Sequence, residues 1–373
     1  MQTAAFLVVT QPSFFFLDDY LYFKLAEERP FIIGLLTPVL GVYPAPGDRL
    51  LSYVLQQLTP LNFTVARLIL LTFLAGTTVI LWQLVRMLAR SDRWWTVALL
   101  IPFALSLTLV VPVAWWSAGL PIMPALFFTV VAMLAWLRSY TDARVWPWVA
   151  VAVTAVAAAG AFYVKFLLIP VYLLFFRLVI LPRLLGLGGG VRDLWRERGR
   201  WIALAIPPAA FLAVWILSGI AGRSAAGGSR PYLAFFATAW FRVFAPAAFL
   251  NGRLNGPVSS FASWAVVGGA QLLFLAVVVA TWIRSRLAIR AWSLFLFVFF
   301  LNAGVVGTDR LPAFGVQIAY ALRYYPDIPR LDFDQEPQAI TGRLGYYQVL
   351  LGRGAGGGLF NYQKWIRRYL NNK

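Results

Sequence analysis

The chain of 373 residues is 61% hydrophobic and 12% charged, with a mean hydropathy of +0.75, a balance that excludes an ordinary soluble domain. Neither cysteine nor histidine occurs, which excludes disulfides, thiolate or imidazole metal sites, haem ligation and Ser-His or Cys-His nucleophiles. The net charge of +18 comes from arginines scattered between apolar segments, so orientation signals and lipid contacts explain it better than nucleic acid does.

Acid–base chemistry is thereby left to Asp, Glu, Lys or Tyr, and any metal must be a hard cation held by oxygen. At the N-terminus, residues 1–16 lack a basic start and a small-residue cleavage site, so they read as the outer half of a spanning helix and not as a cleavable signal. Next comes FFFLDDYLYFKLAE, residues 14–27, in which Asp18 and Asp19 sit at the mouth of an apolar run. Ionised groups are costly beside hydrocarbon, so a carboxylate pair there is a candidate functional site. The same pair suits the N-terminus of an interfacial helix through residues 20–28, where a carboxylate caps free amides, and the two roles are compatible. Residues 31–46 are too short and too rich in Pro and Gly to span, and read as interfacial or re-entrant.

Eight apolar runs are long enough to cross about 30 Å of hydrocarbon as helices: 65–85, 96–115, 119–137, 146–164, 166–182, 201–221, 261–283 and 291–307. The fold class expected is therefore an all-α polytopic transmembrane bundle, with an N-terminal stub and interfacial helices in the outer loops. Between the fourth and fifth runs there is almost no connection, and a single kinked helix there would reverse the sidedness of everything downstream. The aromatic stretch at 232–249, interleaved with Arg242, reads as an interfacial amphipathic helix. Composition turns polar near Arg330, dividing the chain into a membrane domain, 1–330, and a C-terminal tail, 331–373, too short to hold its own core.

Sidedness follows from arginine. Arg86, Arg90 and Arg93, then Arg138 and Arg144, then Arg183, Arg192, Arg196, Arg198 and Arg200, then Arg284, Arg286 and Arg290 fall in four alternate connections. Those connections are assigned to the cytoplasm. Asp18 and Asp19 are then expected on the extracytoplasmic side of the cell membrane, with residues 46–60 and the region beyond residue 307.

The order of an acidic pair, an interfacial segment and PGDRLLSYVL (46–55) resembles the GT-C class of integral membrane glycosyltransferases, and among them the actinobacterial enzymes that use polyprenyl-phosphate sugars. WWSAGLPIMPALFF (115–128), AFYVKFLLIPVYLL (161–174) and RYYPD (323–327) extend the resemblance. It implies a sugar donor on a polyprenyl phosphate and a glycan or lipid acceptor at the cell envelope. It also implies a first-loop carboxylate, here Asp18 or Asp19, acting as general base or holding a divalent cation such as Mg or Mn. Arginine forks onto phosphate oxygens, and on this reading Arg49, Lys165 and Arg323 are the donor-phosphate candidates. Trp115, Trp116, Tyr324 and Tyr325 are the candidates for stacking on sugar, and equally suit an aromatic belt. Two other readings stay open: a transporter or flippase for a lipid-linked substrate, and a non-catalytic, truncated membrane protein.

Overall fold

A backbone amide in hydrocarbon has no water to bond, so a chain of this composition must satisfy its N–H and C=O groups within helices. In the computed structural model, residues 45–89, 116–188, 190–217, 231–244, 264–284 and 286–314 are described, with Leu7, Phe15, Asp19, Tyr22, Phe23, Val97, Leu100 and Val113. All regular structure among them is helical.

The first element, α1, is Pro46–Leu58. Proline at its start has no amide to leave unbonded, and Asp48 in the first turn favours the positive end of the helix dipole. The next helix, α2, is Phe63–Ala89, capped by the Asn62 carboxamide oxygen, which accepts the Val65 N–H at 3.2 Å. After it comes α3, Trp116–Thr141. Asp142 then folds the chain back: its carboxylate accepts the Arg144 N–H at 3.0 Å and the Trp148 indole N–H at 3.1 Å. That turn starts α4, Val145–Gly160. The α3–α4 contact is the most extensive in the described structure, and its centre is made of small residues, Ala132 and Ala135 against Ala152, Ala155 and Ala159. Small side chains let helix backbones approach closely where lipid supplies no hydrophobic drive to associate.

Beyond Gly160 the chain reverses. Tyr163 is extended, a 3-10 turn covers Val164–Leu168, and α5 (Ile169–Val179) and α6 (Leu181–Leu185) run back alongside α3. One continuous span at 166–182 was expected. The segment is broken because Pro170 and Pro182 lack an amide donor and each restarts a helix at its first turn. The return is shown by Arg177, whose guanidinium meets Glu197 and Tyr140 beside the far end of α3. The alternative of one kinked helix through 146–182 is thus excluded.

A short helix, α7 (Val191–Arg196), and the 20-residue α8 (Arg198–Leu217) follow. The aromatic stretch then forms α9, Tyr232–Ala237, continued by a π-helical turn at Thr238–Phe244. Two long helices close the described chain, α10 (Trp264–Arg284) and α11 (Arg286–Phe314). Among the described residues, three helices, α2, α3 and α8, are long and apolar enough to cross a membrane. Exposed Ile202, Ile206, Val214, Ile216 and Leu217 give α8 an outer surface suited to hydrocarbon. Most of the run at 96–115, and all of the tail at 331–373, lie outside the described residues.

The start of α1 is locked to the α4 turn. Gly47 donates its N–H to the Ala161 carbonyl at 2.7 Å, and a Cβ at Gly47 would stand 2.7 Å from the Phe162 ring and 2.9 Å from that carbonyl oxygen. Backbone cannot step aside as a side-chain tip can. Gly47→Ala is expected to cost about 1–3 kcal/mol, read as a lower thermal unfolding midpoint by tryptophan fluorescence in detergent; an unchanged midpoint would mean this contact does not hold the two elements together.

Candidate functional site

The first-loop candidates converge at one end of α3. Asp19 is fully buried, and its carboxylate accepts the Ser117 backbone N–H at 2.6 Å. The free amides of the first turn of a helix attract negative charge, so Asp19 caps α3 across 98 residues of sequence. Of the pair named as a cap for residues 20–28, Asp19 thus serves a different helix. Asp18 lies outside the described residues.

Around this tie sits an aromatic and aliphatic cluster. Phe15 packs edge-on against Phe23 at 4.8 Å and Phe63 at 5.2 Å, and Tyr22, Phe23, Leu55, Leu70, Trp116 and Leu120 fill the same core. Trp116 is fully buried, with its indole N–H making no hydrogen bond; it lies inside the cluster, not on an open surface. Arg67, within α2, donates to the Leu7 carbonyl at 3.4 Å and so ties the N-terminal stretch to the same end.

The strongest chemical feature is on α1, where the usual amphipathic arrangement is inverted. Asp48, Arg49, Ser52 and Gln56 are buried, whereas Leu50, Val54 and Leu58 are exposed. Residues at i, i+4 and i+8 share a helix face, so Asp48, Ser52 and Gln56 form one inward polar stripe. Neither carboxylate oxygen of Asp48 accepts a hydrogen bond, and the Ser52 hydroxyl and the Gln56 carbonyl oxygen make none. A buried polar group without a partner costs about 1–3 kcal/mol, and several on one face mark a place prepared for something polar. Burial holds the Asp48 carboxyl well above the usual carboxylate range, with the adjacent Arg49 charge pulling partly the other way. The Arg49 guanidinium lies 6.0 Å from the centre of the Tyr22 ring.

Lys165 belongs to the turn that Gly47 grips through Ala161, and its ammonium stands 5.4 Å from the centre of the Tyr163 ring. Asp19, Arg49 and Trp116 are therefore brought into one region, with the Lys165 turn beside it. Trp115, Arg323, Tyr324 and Tyr325 lie outside the described residues. Among the described residues no group of three or more Asp or Glu gathers as a divalent cation would require. Asp48 is not among the candidates drawn from the sequence. The signal was present in PGDRLLSYVLQQL, where Asp, Ser and Gln recur every fourth residue among leucines.

No protein-family model, curated protein or solved structure matches the chain.

Because Asp19 holds the start of α3, Asp19→Ala is expected to destabilise the fold by about 1–3 kcal/mol, while Asp19→Asn, which keeps an acceptor oxygen, costs less. Paired thermal melts of the two variants check this, and equal midpoints would remove the capping role.

Proposed function

We propose that the chain is a GT-C-like membrane glycosyltransferase that moves a sugar from a polyprenyl phosphate to a cell-envelope acceptor. The reaction takes place at the face bearing Asp19 and Asp48, which the arginine count assigns to the outside of the cell. The observation that carries this reading is Asp48: a fully buried carboxylate with both oxygens free of hydrogen bonds, followed directly by Arg49 and backed by Ser52 and Gln56.

Transfer joins an acceptor hydroxyl oxygen to the anomeric carbon while the bond from that carbon to the phosphate oxygen breaks. The electron pair of the broken bond leaves on the polyprenyl phosphate, and the hydroxyl proton must go to a base. Asp48 meets that need, because burial raises its basicity and a base whose pKa approaches the working pH is the more effective one. Ser52 and Gln56 supply polar contacts on the same face for a hydroxyl-rich substrate. Arg49, with Lys165 from the adjoining turn, balances the charge that grows on the departing phosphate. Asp19 positions this machinery through its hold on α3, and Asp18 keeps the first-loop role that the family resemblance gives it. The exposed Leu50, Val54 and Leu58 let the opposite face of α1 meet lipid, from which a polyprenyl chain would approach.

The test is sugar transfer from a labelled polyprenyl-phosphate donor in membranes containing the full chain. Asp48→Asn is expected to lower the rate by about 100-fold or more. The base must be ionised, so activity is lost as pH falls through the raised Asp48 pKa. The acid limb of the pH–rate profile should therefore lie above the ordinary aspartate value of about 3.9 and disappear in the variant. If Asp48→Asn keeps full activity while Asp18→Asn abolishes it, the base is in the first loop and not on α1.

A further inference from the structure

At the other end of α3 the chain builds a second polar centre that sugar transfer does not use. Glu197 accepts the Arg177 guanidinium through two nitrogens, at 3.1 and 2.7 Å, and the Tyr140 hydroxyl as well. The remaining Arg177 nitrogen reaches the Gly188 carbonyl at 2.9 Å. The Glu197 charge is thereby spent inside the protein.

Directly outside it lies an open groove of about 580 Å³, lined by Ala143, Arg144, Val145, Trp146, Pro147, Arg196, Glu197, Gly199 and Arg200. With Glu197 already paired, three guanidinium groups give the groove its charge. Arg144 is exposed at the head of α4, Arg196 at the end of α7, and Arg200 in the first turn of α8 is steadied over the Tyr140 ring at 4.8 Å. Arg196 keeps only a loose contact to Asp193, 3.7 Å away and 73% exposed. Asp142, across the turn, has its two oxygens engaged by the Arg144 amide and the Trp148 indole.

A tryptophan marks the depth of this groove. Trp146, in the first turn of the apolar α4, is 61% exposed and lies against Gly199. Exposed indoles at the ends of apolar helices sit at the headgroup level of a bilayer. The groove therefore opens at the height of lipid phosphates, on the arginine-rich side where anionic lipids of the cytoplasmic leaflet are found.

We propose that this groove holds the phosphate headgroup of an anionic phospholipid, with Arg144 and Arg196 on the phosphate oxygens and Trp146 against the glycerol and upper acyl chains. Guanidinium forks suit phosphate oxygens, and the groove volume is that of a small-molecule site. The bound lipid would join α4 to α7 and α8 across the Asp142 turn, independently of any reaction at the opposite face.

The experiment is native mass spectrometry of the full chain in detergent, titrated with phosphatidylglycerol or phosphatidylcholine of matched acyl chains. The unmodified protein should retain phosphatidylglycerol at about ten times the apparent affinity of phosphatidylcholine. The double variant Arg144→Gln/Arg196→Gln, which touches only exposed side chains, should lose that preference, and its unfolding midpoint without lipid should stay within a degree or two. Trp146→Ala should weaken both lipids alike. A preference that survives the double variant, or no preference in the unmodified chain, overturns the proposal. Displacement of the lipid by millimolar inorganic phosphate also overturns it, since the groove would then be a simple anion site.

Discussion

The ion pair between Arg177 and Glu197 fixes which ends of the helices meet. Arg177 is almost wholly buried and Glu197 nearly so, at 1% and 15% side-chain exposure. Charges placed so deep are tolerable only when fully bonded, and removing one partner from such a pair typically costs about 3–5 kcal/mol. The contact forces α5 to return to the end of α3 that carries Arg138 and Tyr140, and so makes the segment after Gly160 a hairpin. Since α3 has 26 residues at about 1.5 Å each, about 39 Å separates the Glu197 centre from the Asp19 centre, a distance that spans the hydrocarbon.

At the Asp19 end, α1 obeys a different rule from the long helices. It is only 13 residues long, too short to cross, and turns Leu50, Val54 and Leu58 outward and Asp48, Arg49, Ser52 and Gln56 inward, with Leu55 buried beside them and Gln57 exposed. In water such a helix would be inside out. Against lipid it is the natural arrangement, because Leu50, Val54 and Leu58 gain an apolar surround while Asp48, Ser52 and Gln56 are directed away from it. Gly47 sets the helix in place by allowing its backbone to touch the Ala161 carbonyl, with the Phe162 ring filling the space where any Cβ would go.

Much of this architecture is legible in composition and hydropathy. The long spans beginning near residues 65 and 119 appear as Phe63–Ala89 and Trp116–Thr141, and of the arginines named for alternate connections Arg200 lies beside Ser139 and Arg290 beside Val179. The helix interrupted at Pro170 and Pro182 is harder to read, because hydropathy sums over a window in which a missing amide leaves no trace. The site was legible in part. Asp19 and Arg49 stand out as charges amid apolar residues and do come together with Trp116, but which amide Asp19 would cap depends on a contact 98 positions away, and no local pattern encodes it. Asp48 was hidden for a different reason: next to Arg49 in sequence it looks like half of a surface pair, and only its burial shows that water cannot solvate it.

The two polar centres differ in how their carboxylates are bonded: Glu197 accepts from Arg177 and Tyr140, whereas neither oxygen of Asp48 accepts a hydrogen bond. At the Glu197 end the carboxylate takes Arg177 and Tyr140, Arg177 also donates to Gly188, and Arg200 leans on Ser139 and Tyr140, while the neighbouring Arg138 Nε and the Trp136 and Trp201 indole nitrogens make no hydrogen bond. A hydrogen-bonded charged network of this kind rigidifies a fold. At the Asp48 end the protein has carried a carboxylate, a hydroxyl and an amide carbonyl into a water-poor interior and left them unbonded. Each such group costs about 1–3 kcal/mol, which the packing of the helices around it must offset.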